Sequence, residues 1–362
     1  MIGIARSLGA TILASALLAL AAGTPSSALD MTPELKKVVD GAKAEGKLKI
    51  ESLPDVLAGP EGVKAAVAWM KKEFGIEVEG NWGPNPAFAQ QAAKLFTEMQ
   101  SNQKASSDAF TATAVQITPM LDRGLFQSVE WSKLLPGRIT PNIVEADGRA
   151  LRVLTQMPGI LYNKQKLPEV AKITAMEDLL KPEFKGKFTT TPYLAGFDVL
   201  ASKEVWGPEK TADYVTKLAG QVSGLLLCGA TERIASGEQL ALALDCAGAE
   251  HNRDRFKDVV GLHVVPDNAQ RRYTYITISK HAASPNAAIL FALFMSTREG
   301  QQMLWDKAGF NLDNYPDSER GREIEALQKK GVKFIDVTMD WWAKQPSIGA
   351  DHANLIKLIQ RR

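Results

Sequence analysis

The sequence predicts an α/β protein built as two lobes in series, and three observations carry that prediction. Strand and helix signals alternate along most of the chain, the rhythm of a largely parallel sheet covered by helices. Setting aside the first 28 of 362 residues leaves 334, more than one hydrophobic core ordinarily supports. An apolar share of 45% beside 23% charged residues is the composition of a packed globule, not of a disordered chain.

Residues 1–28 read as a secretory signal peptide. Arg6 precedes an apolar run from Leu8 to Ala22, and Ser26 and Ala28 supply the small-x-small pattern of a cleavage site, so the mature chain is expected to start near Leu29. The run of about 15 residues is shorter than the roughly 20 that a membrane span needs. No cysteine stands nearby to carry a lipid. The expectation is export without an anchor.

Thr32-Pro33 is a helix start, with a capping hydroxyl followed by proline in the first turn, and Gly46 ends that helix. Strands are predicted at 48–52 and 76–82, separated by a helix over 60–74 whose Val63, Val67, Met70 and Phe74 share one face. Residues 83–86 form a loop by composition, a helix follows over 87–100, then a strand over 108–112 and a short helix stopped by Gly124. After a middle section, strands are predicted at 159–162 and 187–191 and helices at 196–205 and 210–218. A further βαβ unit runs from 225–228 through a short helix around Ile234 to 240–246. A late strand over 273–279 precedes a helix begun by Ser284-Pro285, and Ser296-Thr297-Arg298-Glu299 reads as a capping box. Trp341-Trp342 belongs to a C-terminal segment expected to dock as a terminal helix on the second lobe.

Charge and motifs narrow the function. With 43 Lys and Arg against 41 Asp and Glu, the chain offers no support for nucleic-acid binding. It contains no Gly-x-Ser-x-Gly, His-Glu-x-x-His, Cys-x-x-Cys or phosphate-loop pattern. Its four histidines are scattered without metal-ligand spacing, so neither a metal nor a cofactor is expected.

Ligands of α/β sheets gather beyond the carboxyl ends of strands. That rule selects Asn85, Thr111, Thr113, Tyr193, Phe197, Asp245, Arg271 and Tyr273 as candidate ligand-binding residues. The threonines offer hydroxyls, with helix capping as the alternative; Tyr193 and Phe197 would form an aromatic wall. Arg271 and Arg272 would clamp a carboxylate or phosphonate. Cys228 and Cys246 are the only cysteines, in a chain expected in an oxidising compartment, and each closes a predicted strand of one βαβ unit. A disulfide between them is the expectation, with a pair of free thiols near the cleft as the alternative.

Several segments resemble one family. "KHAASPNAAILFALFMSTREGQQML" from Lys280 is similar to the late signature of type 2 periplasmic solute-binding proteins, and "GILYNK" from Gly159 to the segment where such chains first cross between lobes. "FKGKFTTTPYLAGF" from Phe184, "IASGE" from Ile234, "SSDAFTATA" from Ser106 and "LDRGLF" from Leu121 fit in order and spacing. The resemblance implies a two-lobed (Venus flytrap) fold with a ligand cleft between the lobes. Lobe I would hold 29–160 and 270–312, and lobe II 161–269 and 313–362, with a hinge near Tyr162 and the strand from Tyr273. The implied role is a monomeric periplasmic receptor that passes a small organic or oxyanion solute to an ABC permease in the inner membrane.

Within the family the chain looks most like the ferric-ion-binding subgroup. That subgroup's adjacent tyrosines would fall near Ala247 and Gly248, which carry no oxygen ligand. Tyr273 and Tyr275 lie later and are read as pointing to opposite faces, so that only one enters the cleft. A ferric receptor, a ligand-presenting partner of a membrane sensor kinase and a secreted enzyme stay open as other readings.

Overall fold

A computed structural model of the chain describes residues 30–361 apart from 55, 86, 138, 140 and 316. The expected signal peptide, 1–28, lies outside the described residues. Two sheets organise the rest. The first contains β1 (Lys47–Ser52), β2 (Glu79–Pro84), β3 (Ala109–Thr113), β4 (Val144–Glu145) and β5 (Ala150–Gln156). The second contains β6 (Ile160–Asn163), β7 (Phe188–Thr190), β8 (Gly224–Leu225), β9 (Ala241–Ala243) and β10 (Val260–His263). The chain then returns to the first sheet with β11 (Gln270–Ile278) and β12 (Ile335–Val337).

The strand orders are β2-β1-β3-β11-β5-β4, with β12 also beside β11, and β10-β6-β9-β7-β8. β1, β2 and β3 are parallel, as are β7, β8 and β9, whereas β11 runs antiparallel to both β3 and β5. Each sheet is therefore a parallel set flanked by antiparallel hinge strands, more mixed than the alternating sequence rhythm implied. The chain passes between sheets at 157–159 and again at 264–269.

Local sequence explains several helix ends. The Thr32 hydroxyl accepts from the Leu35 amide, and Gly46 closes the helix Pro33–Glu45 in the left-handed conformation that glycine adopts without steric cost. The capping box is shifted by one residue: Thr297, not Ser296, accepts from the Gly300 amide. In the helix Pro285–Ser296 every residue from Ala287 to Met295 is buried, because the sheet covers one side and neighbouring helices cover the others. The predicted helix over 196–205 shrinks to Phe197–Leu200, and β4, β5, β10 and β12 went unpredicted.

The tail 313–362, expected on lobe II alone, is divided. β12 pairs with Gln270–Arg272 of the first sheet, and the helix Met339–Ala343 carrying Trp341 and Trp342 packs on Ala114–Leu121. The last helix, Ile348–Ile359, docks on Pro208–Ala219 of the second lobe. Paired backbone at the edge of β11 draws in the start of the tail, and apolar burial draws in its end.

Candidate functional site

Topology places the site. Parallel strands end together, so the loops after β1, β2 and β3 emerge on one side of the first sheet, and those after β7, β8 and β9 on one side of the second. Thr113, the last residue of β3, pairs with Thr274 near the start of β11, and Leu242 of β9 pairs with Leu161 near the start of β6. Both crossovers therefore lie at the carboxyl-end sides of the sheets, and the six loops flank the hinge from either lobe. Ligands of α/β sheets bind at this position.

Four of the eight non-glycine residues with positive φ among the described residues stand in these loops. Leu57 (φ 54°) and Ala58 (φ 59°) follow β1, Leu194 (φ 45°) follows β7 and Leu244 (φ 57°) follows β9. Left-handed leucine costs about 1–3 kcal/mol and persists where surroundings over-determine it, which occurs preferentially at binding sites. In the first lobe, the helices Gly59–Phe74, Phe88–Gln100 and Ala114–Leu121 begin in these loops with no side-chain cap on their first amides.

The expected site residues are only partly brought together. Asn85 is buried; its amide donates to the Ser52 carbonyl at 2.9 Å, and its Oδ1 accepts from the Ala87 amide at 3.2 Å, so it shapes the turn. The Thr113 hydroxyl donates to Gln116 Oε1 at 2.8 Å. Thr111 is fully buried, with its hydroxyl unpaired. Tyr193 stands half-exposed at the end of β7; its hydroxyl accepts from the Cys228 amide at 3.1 Å and lies 3.6 Å from Cys246 Sγ. Asp245 is buried beside it and accepts from the amides of Gly248 (2.7 Å) and Ala247 (3.3 Å). Burial pushes the Asp245 carboxyl above its ordinary range, against the opposing pull of those amides.

Three expectations are corrected. Phe197 lies wholly inside the second-lobe core, stacked on Tyr214 at 6.4 Å, and forms no cleft wall, because the four-residue helix turns it inward. Arg271 is no free clamp, since it pairs with Asp313 (3.1 Å) and with Asp336. Tyr273 and Tyr275 share one face instead of opposing each other, their rings 6.4 Å apart. Side chains two apart on a strand project alike, even with the irregularity between Thr274 and Tyr275. Their hydroxyls donate to Asp336 (3.1 Å) and Glu145 (2.9 Å), and Arg152 covers the Tyr273 ring at 4.2 Å. Burial raises both phenols, which keeps them protonated.

The cysteines form the disulfide Cys228–Cys246, with Cα atoms 5.9 Å apart. It does not join adjacent strands, because β7 lies between β8 and β9; the bridge passes across the end of β7, where Tyr193 emerges. The sequence reading missed the pairing of Arg272 with Asp198, a bidentate contact at 2.6 and 2.8 Å that ties β11 to the start of a second-lobe helix. Gln270 Nε2 donates to the Gly196 carbonyl at 3.0 Å beside it. Burial alone would raise the Asp198 carboxyl, but the guanidinium charge and its two hydrogen bonds hold it below the ordinary range. Only the adjacent Arg271-Arg272 pair hinted at this in the sequence.

No protein-family profile and no curated protein sequence matches the chain. Solved structures do. Ferric binding protein from Campylobacter jejuni superposes with a TM-score of 0.64 at 16% identity, over 87% of this chain and 98% of that one. The periplasmic binding protein AfuA from Actinobacillus pleuropneumoniae, with fructose-6-phosphate bound, gives 0.63 at 18%, over 86% and 97%. The spermidine/putrescine transporter substrate-binding protein PotD from Streptococcus pneumoniae gives 0.60 at 17%, over 86% and 99%. With the strand orders and the double crossover, these likenesses show that the chain has the two-lobed, type 2 periplasmic-binding-protein fold.

Proposed function

We propose that the chain is a periplasmic solute receptor that delivers a small molecule to an ABC-type membrane importer. The observation that carries this reading is the opposition of six strand-end loops, three from each lobe, across a double crossover. Lobe I comprises 30–159 and 270–312, lobe II comprises 160–269, and the tail is shared between them. A solute touching both loop sets stabilises the closed arrangement over the open one, and a permease that recognises only the closed form reads out occupancy. One chain supplies both walls, so the receptor works as a monomer. Asn85 and Thr113 contribute from the first lobe, and Tyr193 with the loop around Asp245 from the second. The similar structures support the reading, since their names describe binding of ferric ion, a sugar phosphate or polyamines.

A thermal-shift screen across carboxylates, phosphonates, polyamines, sugars and metals tests it. A ligand at 100 times its Kd adds about 2.7 kcal/mol of stability. Small-angle scattering with that ligand is expected to show a smaller radius of gyration; stabilisation without contraction refutes lobe closure.

A further inference from the structure

Among the described residues the chain passes between its lobes a third time. The crossovers at 157–159 and 264–269 form the hinge, and the tail then crosses again at 344–347. Before that passage the helix Met339–Ala343 packs on Ala114–Leu121 of lobe I; after it, Ile348–Ile359 packs on Pro208–Ala219 of lobe II. Both ends are seated in cores. Met339, Trp341 and Trp342 belong to the first-lobe core, and Leu355 and Ile359 to the second. The passage between them is folded into turns, with the Gln345 amide donating to the Trp342 carbonyl at 3.0 Å and the Ile348 amide to the Gln345 carbonyl at 3.1 Å. It can lengthen only by breaking those bonds.

This third passage lies on the strand-end side of both lobes. Ala114–Leu121 leaves the end of β3, and Glu204 stands after β7 and the helix Phe197–Leu200. Between them, Trp341 Nε1 donates to Glu204 Oε2 at 3.1 Å, and Gln345 Nε2 to Oε1 at 3.4 Å. Val205, the next residue, packs against both cores. The last helix also holds the loop of Tyr193. His352 Nε2 meets the Leu194 carbonyl at 3.0 Å, and Gln360 Nε2 donates to the Pro192 carbonyl at 3.3 Å. Opening about the hinge separates the strand-end sides of the lobes, so the tail must then stretch or unseat. Unseating either helix exposes buried apolar side chains to water, which opposes the motion.

Resting on the receptor reading, we infer that the segment 339–359 is a strap that limits how far the ligand-free lobes open and ties that limit to the Tyr193 loop. A receptor restrained in this way spends a larger fraction of its time near the binding-competent arrangement. Its apparent affinity rises with that fraction.

The experiment measures lobe motion in the full, disulfide-bridged chain without any solute. Nitroxides on Lys64→Cys in lobe I and Lys217→Cys in lobe II, both exposed positions, report the spread of lobe separations by pulsed electron resonance. The bridged Cys228 and Cys246 take no label. Inserting about six Gly and Ser residues between Gln345 and Pro346 gives the strap roughly 13 Å of slack while leaving both helices in place. That insert is expected to double the width of the distance distribution at least, and to raise the radius of gyration in small-angle scattering. Glu204→Ala, at an exposed residue, shifts both in the same direction by less. The same insert after Asn102, in an exposed turn of lobe I, leaves both as in the wild type. Thermal melts establish which variants are folded; if the strap insert is not, Glu204→Ala decides alone. Unchanged width and radius overturn the inference, as does equal widening by the Asn102 insert. A smaller radius overturns it too, since the tail would then be propping the lobes apart. Failure of the solute screen would sink the receptor reading and leave the strap measurement intact, whereas a solute that contracts a protein indifferent to the insert would remove the strap alone.

Discussion

Arg272 and Asp198 show how much one pair of residues carries. Both are buried, and they meet through two hydrogen bonds where the chain returns to the first sheet. Removing one partner strands the other's charge in a low-dielectric site, so Asp198→Asn is expected to cost about 3–5 kcal/mol in urea denaturation at pH 7. The pH dependence follows from the direction of the shift. Because folding lowers this carboxyl, its contribution is present above the unfolded value of about 3.9 and is lost as pH falls through the lower folded value. Wild-type stability should therefore drop more steeply than that of Asp198→Asn below pH 4; parallel curves would contradict the assignment. Phe197 is decided at the same scale. As a core residue its replacement in Phe197→Ala should cost about 3–5 kcal/mol and leave solute affinity per folded molecule unchanged, checked by denaturation and titration together.

At the scale of elements, the Cys228–Cys246 bridge does more than close a loop. It joins the loops after β8 and β9 across the end of β7, and Tyr193 bonds to its first member. Its sequence separation of 18 corresponds to a loop-entropy contribution of about 3 kcal/mol. Thiol titration of denatured, unreduced protein should find essentially no free sulfhydryl. The double change Cys228→Ser with Cys246→Ser should lower stability by about that amount in thermal denaturation, and two titratable thiols would remove the bridge from the account. Strand prediction reached this region but stretched it. Residues 225–228 read as one strand, yet backbone pairing with β7 ends with the Leu226 amide donating to the Thr190 carbonyl at 2.9 Å. In this edge strand Leu226 is buried, whereas Leu225 and Leu227 are exposed.

At the scale of the whole molecule, two crossovers and a shared tail join lobes that a cleft divides. The sequence determined the alternation of elements, the helix starts at Thr32-Pro33 and Ser284-Pro285, the cysteine pair and the strand-end position of Asn85, Thr113, Tyr193 and Asp245. These are local: periodicity, capping and glycine stops act over a few residues, and a strand end is visible in the chain that leaves it. The resemblance read from "KHAASPNAAILFALFMSTREGQQML" and "GILYNK" pointed to the same fold. What only the tertiary structure decided was partnership. Arg271, Tyr273 and Tyr275 were legible as chemistry, but the residues that occupy them, Asp336, Asp313 and Glu145, stand as many as 130 positions away in the sequence. Phe197 could equally have faced a cleft or a core until a four-residue helix turned it inward. Whether a charge is free or committed, and whether an apolar side chain is covered, depends on contacts between distant segments, and no short-range rule carries that information.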